Sequence, residues 1–148
     1  MSTWFITGCS TGLGRAFAEA VLARGDNAVV TARDVTTVRD LSDAHPDSAL
    51  AVALDVTDDE QVRAAVSAAE ERFGAIDVLV NNAGYGYRAA VEEGEDAAIR
   101  RLFDTHVLGT VRTTQAVLPG MRARGSGTIV NLSSIGARIS PELSLIHI

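Results

Sequence analysis

The sequence predicts an α/β protein built on a doubly wound parallel sheet. Three observations carry this: five short apolar runs lie along the chain, segments of helical period separate them, and the runs are continuously rather than alternately hydrophobic. Runs such as Ala28-Val29-Val30 and Ile76-Asp77-Val78-Leu79-Val80 suit strands covered on both faces by helices, which is the condition of a parallel sheet. The strand-helix alternation implies right-handed crossovers, and no repeat or low-complexity linker suggests a second domain in the 148 residues.

The first strand is expected over Trp4–Thr7, and Leu13, Phe17, Ala20, Val21 and Arg24 then recur at helical spacing until Gly25, a C-terminal stop. Strands two and three are expected over Asn27–Ala32 and Ala49–Leu54. In Thr57-Asp58-Asp59-Glu60, Thr57 is placed to cap a helix and Glu60 to reach back to it; Val62, Ala65, Val66, Ala69 and Phe73 supply its buried stripe before Gly74. The fourth strand is expected over Ile76–Val80. A third helical stretch follows from Asp96 to Met121, with Ile99, Leu102, Phe103, Val107, Thr110, Val111, Thr114, Val117 and Leu118 at compatible spacing and Gly109 expected to break it in two. The fifth strand is expected over Thr128–Leu132.

Composition narrows the function classes. The chain is 47% hydrophobic and 22% charged with net charge -6, and no basic block is present to track nucleic-acid phosphates or an anionic membrane. The one cysteine, Cys9, cannot form an internal disulfide, no Cys/His spacing suits a metal, and the opening residues carry no basic n-region, so a cytoplasmic address is expected. All 13 basic residues are arginine, which excludes a lysine ammonium from any mechanism drawn from these residues.

Thr7-Gly8-Cys9-Ser10-Thr11-Gly12-Leu13-Gly14 falls where the first strand ends and the first helix begins. Glycines there allow a tight turn and close approach of a pyrophosphate, while free N–H groups and the helix dipole attract its charge. The strand-before, helix-after context is what makes such a string a dinucleotide signal.

The spacing Gly-x-x-x-Gly-x-Gly, preceded by Thr7, resembles the fingerprint of the short-chain dehydrogenase/reductases, in their classical type. Asp55-Val56, Asn81-Asn82-Ala83-Gly84, Thr105–Thr110 and Ile129-Val130-Asn131-Leu132-Ser133-Ser134 extend the resemblance in the right order. The resemblance implies a Rossmann fold over 1–142 and an NAD(P)-dependent oxidoreductase acting on an alcohol or carbonyl. It further implies that Gly8, Ser10, Gly12, Leu13 and Gly14 hold the cofactor, that Asp55 accepts from the adenine amino group, that Val56 packs on the ring, and that Asn82, Ala83 and Gly84 lie along the adenine-side ribose.

Cofactor choice is read at the end of the second strand, Val30-Thr31-Ala32-Arg33-Asp34. An acidic residue there bonds the ribose 2′-OH of NAD, whereas an arginine accommodates the 2′-phosphate of NADP. Ala32 stands at the acidic position and Arg33 follows, which favours NADP, with NAD as the alternative. Asp34 stands beside Arg33 as a possible ion-pair partner or as a charge opposing the phosphate.

Carbonyl–alcohol hydride transfer needs a proton donor and acceptor and a hydrogen bond to the substrate oxygen. In the family a serine, a tyrosine and a lysine provide these, and Ser134 matches the serine. The chain's tyrosines are Tyr85 and Tyr87, no Tyr-x-x-x-Lys exists, and His147 lies near where the tyrosine would stand. The reading is therefore a fragment that is inactive alone; a non-catalytic dinucleotide-binding regulatory module is the alternative. His106 occupies the position of the family's asparagine.

The family sheet continues past a fifth strand, so the fifth strand is expected to be an unpaired edge and the chain poorly soluble alone, while the intact protein is expected to be a homo-oligomer. One codon choice for Leu143–Ile148, CTG TCT CTT ATA CAC ATC, spells the end of a transposon used to prepare sequencing libraries, so 143–148 are read as a non-native tail.

Overall fold

The computed structural model describes residues 1–134, and the expected tail over 143–148 lies outside them. Five parallel strands, β1 (Thr3–Ile6), β2 (Asn27–Ala32), β3 (Ala49–Ala53), β4 (Val78–Asn81) and β5 (Thr128–Asn131), form one sheet in the order β3-β2-β1-β4-β5. The helices are α1 (Gly12–Ala23), α2 (Arg39–Ala44), α3 (Asp59–Phe73), α4 (Asp96–Phe103) and α5 (Gly109–Arg124). Every expected strand is present within a residue or two.

Register explains the continuous hydrophobicity. Phe5 stands opposite Val29 and Leu79, and Ile6 opposite Val30 and Val80. The pleat sends the first set into a core with Val62, Ala65 and Ala69 of α3 and Val117 and Met121 of α5. It sends the second set into a core with Ala18, Val21 and Leu22 of α1 and Leu41 of α2. Strand order reverses at β1 and β4, which opens a crevice beyond their C-terminal ends.

Three local expectations are corrected. The buried face of α1 is Gly14, Ala18, Val21 and Leu22, while Leu13 is 65% exposed and Phe17 lies at the surface. A Cβ on Gly14 would stand 2.2 Å from the Gly8 carbonyl oxygen, so only the side without a side chain can face the turn, and this sets the rotation of the helix.

The cap of α3 is Asp58, not Thr57. Thr57 donates its backbone N–H and its hydroxyl to Asp55 Oδ1 at 2.9 and 2.7 Å, which leaves Asp58 Oδ1 to accept from the N–H groups of Glu60 and Gln61 at 2.9 and 3.1 Å. Gln61 rather than Glu60 reaches back, donating to Asp58 Oδ2 and accepting from the Asp55 N–H.

Gly109 does not break the third stretch. A π-helical turn, Asp104–Leu108, joins α4 to α5 with helical backbone on both sides, and the inserted residue moves the buried face to Gly109, Thr113, Val117 and Met121. A Cβ on Gly109 would meet Val56 Cγ2 at 2.7 Å, so this glycine permits α5 to approach Val56 in the segment after β3.

The cap provides a first test. The Gln61 backbone N–H, then its side-chain amide, hold the Asp58 carboxyl below the usual carboxylate range. A group whose folded pKa is depressed contributes stability above its unfolded pKa and loses it as pH falls through the folded one. Asp58→Ala is expected to lower the thermal midpoint at neutral pH, by less as pH is stepped down through the carboxylate range. Melts of both chains across that range check the narrowing.

Candidate functional site

The turn after β1 is held in place from below. The Thr7 hydroxyl, 1% exposed, donates to the Val80 carbonyl at 3.3 Å and accepts from the N–H groups of Asn82 and Ala83, both at 2.9 Å. Asn82 Nδ2 donates to the carbonyls of Thr7 and Gly8 at 2.8 and 2.9 Å. Gly8 has φ 73°, and a Cβ there would also lie 2.8 Å from Ala83 Cα. The segment after β4 therefore grips the segment after β1, with both orphaned strand ends satisfied by the grip.

Above this turn α1 begins without a side-chain cap on Thr11 and without an acidic residue in its first turn. Its N-terminal N–H groups and positive dipole end thus receive neither a side-chain cap from Thr11 nor an acidic side chain from the first turn. Cys9 turns inward: its thiol donates to the Ile6 carbonyl at 3.2 Å, and burial pushes its pKa up to about 12, which rules it out as a nucleophile near neutrality.

A cleft of about 700 Å³ runs along the C-terminal ends of the strands, within the range of cofactor sites. Of the sequence-expected residues, Gly8, Ser10, Gly12, Leu13, Arg33, Asp55, Val56, Asn82, Ala83 and Gly84 all line it. Gly14 does not; it packs behind the turn, where a Cβ would also stand 2.3 Å from Asn82 Nδ2. Ser134 follows β5 on the same side of the sheet and is exposed, but it is not among the residues lining the cleft.

The guanidinium groups near the turn differ. Arg15 pairs with Asp40 and with Glu19, tying α1 to α2. Arg33 makes no ion pair among the described residues, and its neighbour Asp34 instead accepts from Thr36, N–H at 3.0 Å and hydroxyl at 2.6 Å. Those bonds hold the Asp34 carboxyl below the usual carboxylate range.

Sequence reasoning missed several site residues. Arg101, Asp104 and Thr105 of the α4 and π segments line the cleft, and Arg112 fixes Asp104 at 2.7 Å while also meeting Asp59 at 3.1 Å. Asn81 accepts from the Thr113 hydroxyl at 2.6 Å and donates to Asn131 Oδ1 at 2.8 Å, which joins β4, β5 and α5 just ahead of Ser133 and Ser134. The Asn81-Asn82 pair was the visible signal, but its partners lie too far along the chain to be read from it. No cluster of metal-ligating side chains occurs among the described residues, and no helix there is long and apolar enough to cross a membrane.

A glycine turn at the reversal point of a doubly wound sheet, facing a cleft lined by an arginine just after the second strand, defines a nucleotide-binding protein of Rossmann type. Comparison with known proteins agrees. The family model for short chain dehydrogenase matches residues 2–144, and the chain belongs to that family. It is similar to an oxidoreductase of Botryotinia fuckeliana, at 45% identity over 95% of this chain and 52% of that protein. Similarity to galactitol 2-dehydrogenase of Agrobacterium fabrum is 38% over 96% of this chain and 56% of that one. Among solved structures, a short-chain dehydrogenase from Streptomyces avermitilis superposes with TM-score 0.89 at 47% identity, covering 94% of this chain and 51% of that one. A gluconate 5-dehydrogenase from Burkholderia cenocepacia, in complex with NADP and tartrate, superposes with TM-score 0.90 at 32% identity, covering 99% and 58%. The chain thus spans about half the length of the relatives it matches.

Proposed function

We propose that the chain is the cofactor-binding part of an NADP-preferring oxidoreductase that moves a hydride between the nicotinamide and a small alcohol or carbonyl substrate. The observation that carries the reading is the cradle itself. Gly8, Gly12 and Gly14 leave backbone where side chains would stand, the α1 N-terminus is uncapped, and the cleft in front of it has the size of a cofactor site. When bound, the dinucleotide supplies the hydride donor or acceptor.

The chain's own residues divide the remaining work. Backbone N–H groups of Gly8 and of Ser10 to Leu13 would meet the pyrophosphate, while the Cys9 N–H is already donated to the Thr31 carbonyl at 2.7 Å. Asp55 keeps Oδ2 for an adenine amino group, since Thr57 occupies only Oδ1. Val56, 6% exposed, packs on the ring. Ala83 and Gly84 border the ribose, while Asn82 chiefly braces the turn. Ser134 would orient the substrate oxygen. With no lysine and no Tyr-x-x-x-Lys in the 148 residues, binding without turnover is expected of this chain alone. Acidic charge and the absence of a basic block speak against a nucleic-acid partner, and a cytoplasmic address fits one buried, reduced thiol. The exposed apolar stripe Phe103, Val107, Leu108 and Val111 supports homo-oligomers of the intact protein.

Arg33 sets the cofactor test. Arg15 is committed to Asp40 and Asp34 to Thr36, and Arg33, next to the second strand, lines the cleft without an ion pair among the described residues, which leaves it for a 2′-phosphate. Losing one charge-assisted hydrogen bond costs about tenfold or more in affinity. Arg33→Ala is expected to weaken NADPH by at least that factor and to leave NADH nearly unchanged, as read by fluorescence titration. Equal loss for both cofactors, or no loss, refutes the preference.

A further inference from the structure

His106 departs from the family pattern, and its surroundings give it a task. It lies in the middle of the π turn Asp104–Leu108, between Thr105, which lines the cleft, and the helix that continues as α5. Two hydroxyls fix this turn to its own backbone: Thr105 Oγ1 donates to the Arg101 carbonyl at 3.0 Å, and Thr110 Oγ1 donates to the His106 carbonyl at 2.8 Å. The imidazole crosses from there to the segment after β4. A Cβ on Gly84 would lie 2.4 Å from His106 Cε1, so the ring rests directly on glycine backbone. Its Nε2 stands 3.1 Å from the Tyr85 nitrogen and 2.8 Å from the Tyr85 oxygen.

One ring nitrogen cannot accept and donate at once. With a lone pair Nε2 accepts from the Tyr85 N–H, and when it carries a proton it donates to the Tyr85 carbonyl. Either form holds the backbone of the same residue, Tyr85. Gly84 and Tyr85 both line the cleft, and the segment's far end is tied independently, by the Glu95 N–H donating to the Tyr87 hydroxyl at 3.0 Å. Among the described residues, the near end is otherwise held by the Asn82 and Ala83 contacts.

We propose that His106 is a positioning residue whose imidazole, by hydrogen-bonding the Tyr85 backbone, fixes the β4-side rim of the cleft. That this rim meets a dinucleotide rests on the function proposed above.

The test uses the whole chain and two variants. His106→Phe keeps ring bulk and removes both nitrogens, whereas His106→Asn returns a donor and an acceptor. Backbone 15N order parameters at Gly84 and Tyr85 are expected to fall from about 0.85 to below about 0.6 in His106→Phe, with Leu79 and Val80 in β4 unchanged. NADPH affinity should fall at least severalfold, and His106→Asn should return both readouts toward the parent. Unchanged order at Tyr85 in His106→Phe overturns the proposal, and so does a His106→Asn chain that behaves like His106→Phe. If the phenylalanine disturbs Leu79 and Val80, His106→Ala takes its place with the same outcomes. A parent chain that binds no NADPH would sink the dinucleotide reading while the order parameters still decide the role of His106.

Discussion

Gly14→Ala is expected to abolish dinucleotide binding and to destabilise the fold. The new Cβ would stand 2.2 Å from the Gly8 oxygen, 2.3 Å from Asn82 Nδ2 and 2.9 Å from the Gly8 carbonyl carbon. Neither neighbour has room to give. Gly8 is held at φ 73° against Ala83, and Asn82 Nδ2 is bound to the carbonyls of Thr7 and Gly8. The start of α1 must therefore move away from the turn, which separates the α1 N-terminus from the turn after β1. Overpacking with loss of those bonds costs about 2–4 kcal/mol. Urea denaturation and NADPH titration measure the two effects. Gly12→Ala is the control: a Cβ there meets nothing within 4 Å, and only its φ of 61° is strained, at about 1–2 kcal/mol. A Gly14→Ala chain as stable and as tight-binding as Gly12→Ala would refute the close-packing account.

The second large effect belongs to Thr7→Val. The two side chains have nearly the same shape, so the substitution isolates the hydroxyl. Its loss leaves the N–H groups of Asn82 and Ala83 without the acceptor they share in a part-buried site. Unsatisfied buried amides cost about 1–3 kcal/mol each, and some relief by solvent places the expected total at about 2–4 kcal/mol. Because the hydroxyl holds the segment after β4 to the turn after β1, NADPH binding should weaken in parallel. Thr7→Ser should retain most of both. Equal melting of Thr7→Val and the parent would show that the hydroxyl is not the tie.

Much of the architecture was legible because its signals are local. Apolar runs marked all five strands, and glycine spacing after the first marked the turn. Ten of the eleven residues expected to bind cofactor line one cleft, with Gly14 alone behind it. Helix faces were less legible. The stripe expected for α1 was displaced because Gly14 has to face Gly8, and the pattern over 96–121 was rephased by the π turn. The cap moved from Thr57 to Asp58 because Asp55 captures the Thr57 hydroxyl.

By itself, then, the sequence determined the strand positions, the glycine turn after β1, the arginine just after β2, and the absence of lysine from the 148 residues. Each of these depends on residue type and near neighbours. Tertiary structure alone decided which partners Thr7, Asn81, Asn82 and His106 meet, since these are tens of residues away: Thr7 meets Asn82 across 75 positions and Asn81 meets Asn131 across 50. It also decided that Arg15 is ion-paired while Arg33 makes no ion pair among the described residues. The physical reason is common to all of them. A hydrogen bond or a missing Cβ acts through space at about 3 Å, and only the packed sheet brings those atoms within that distance.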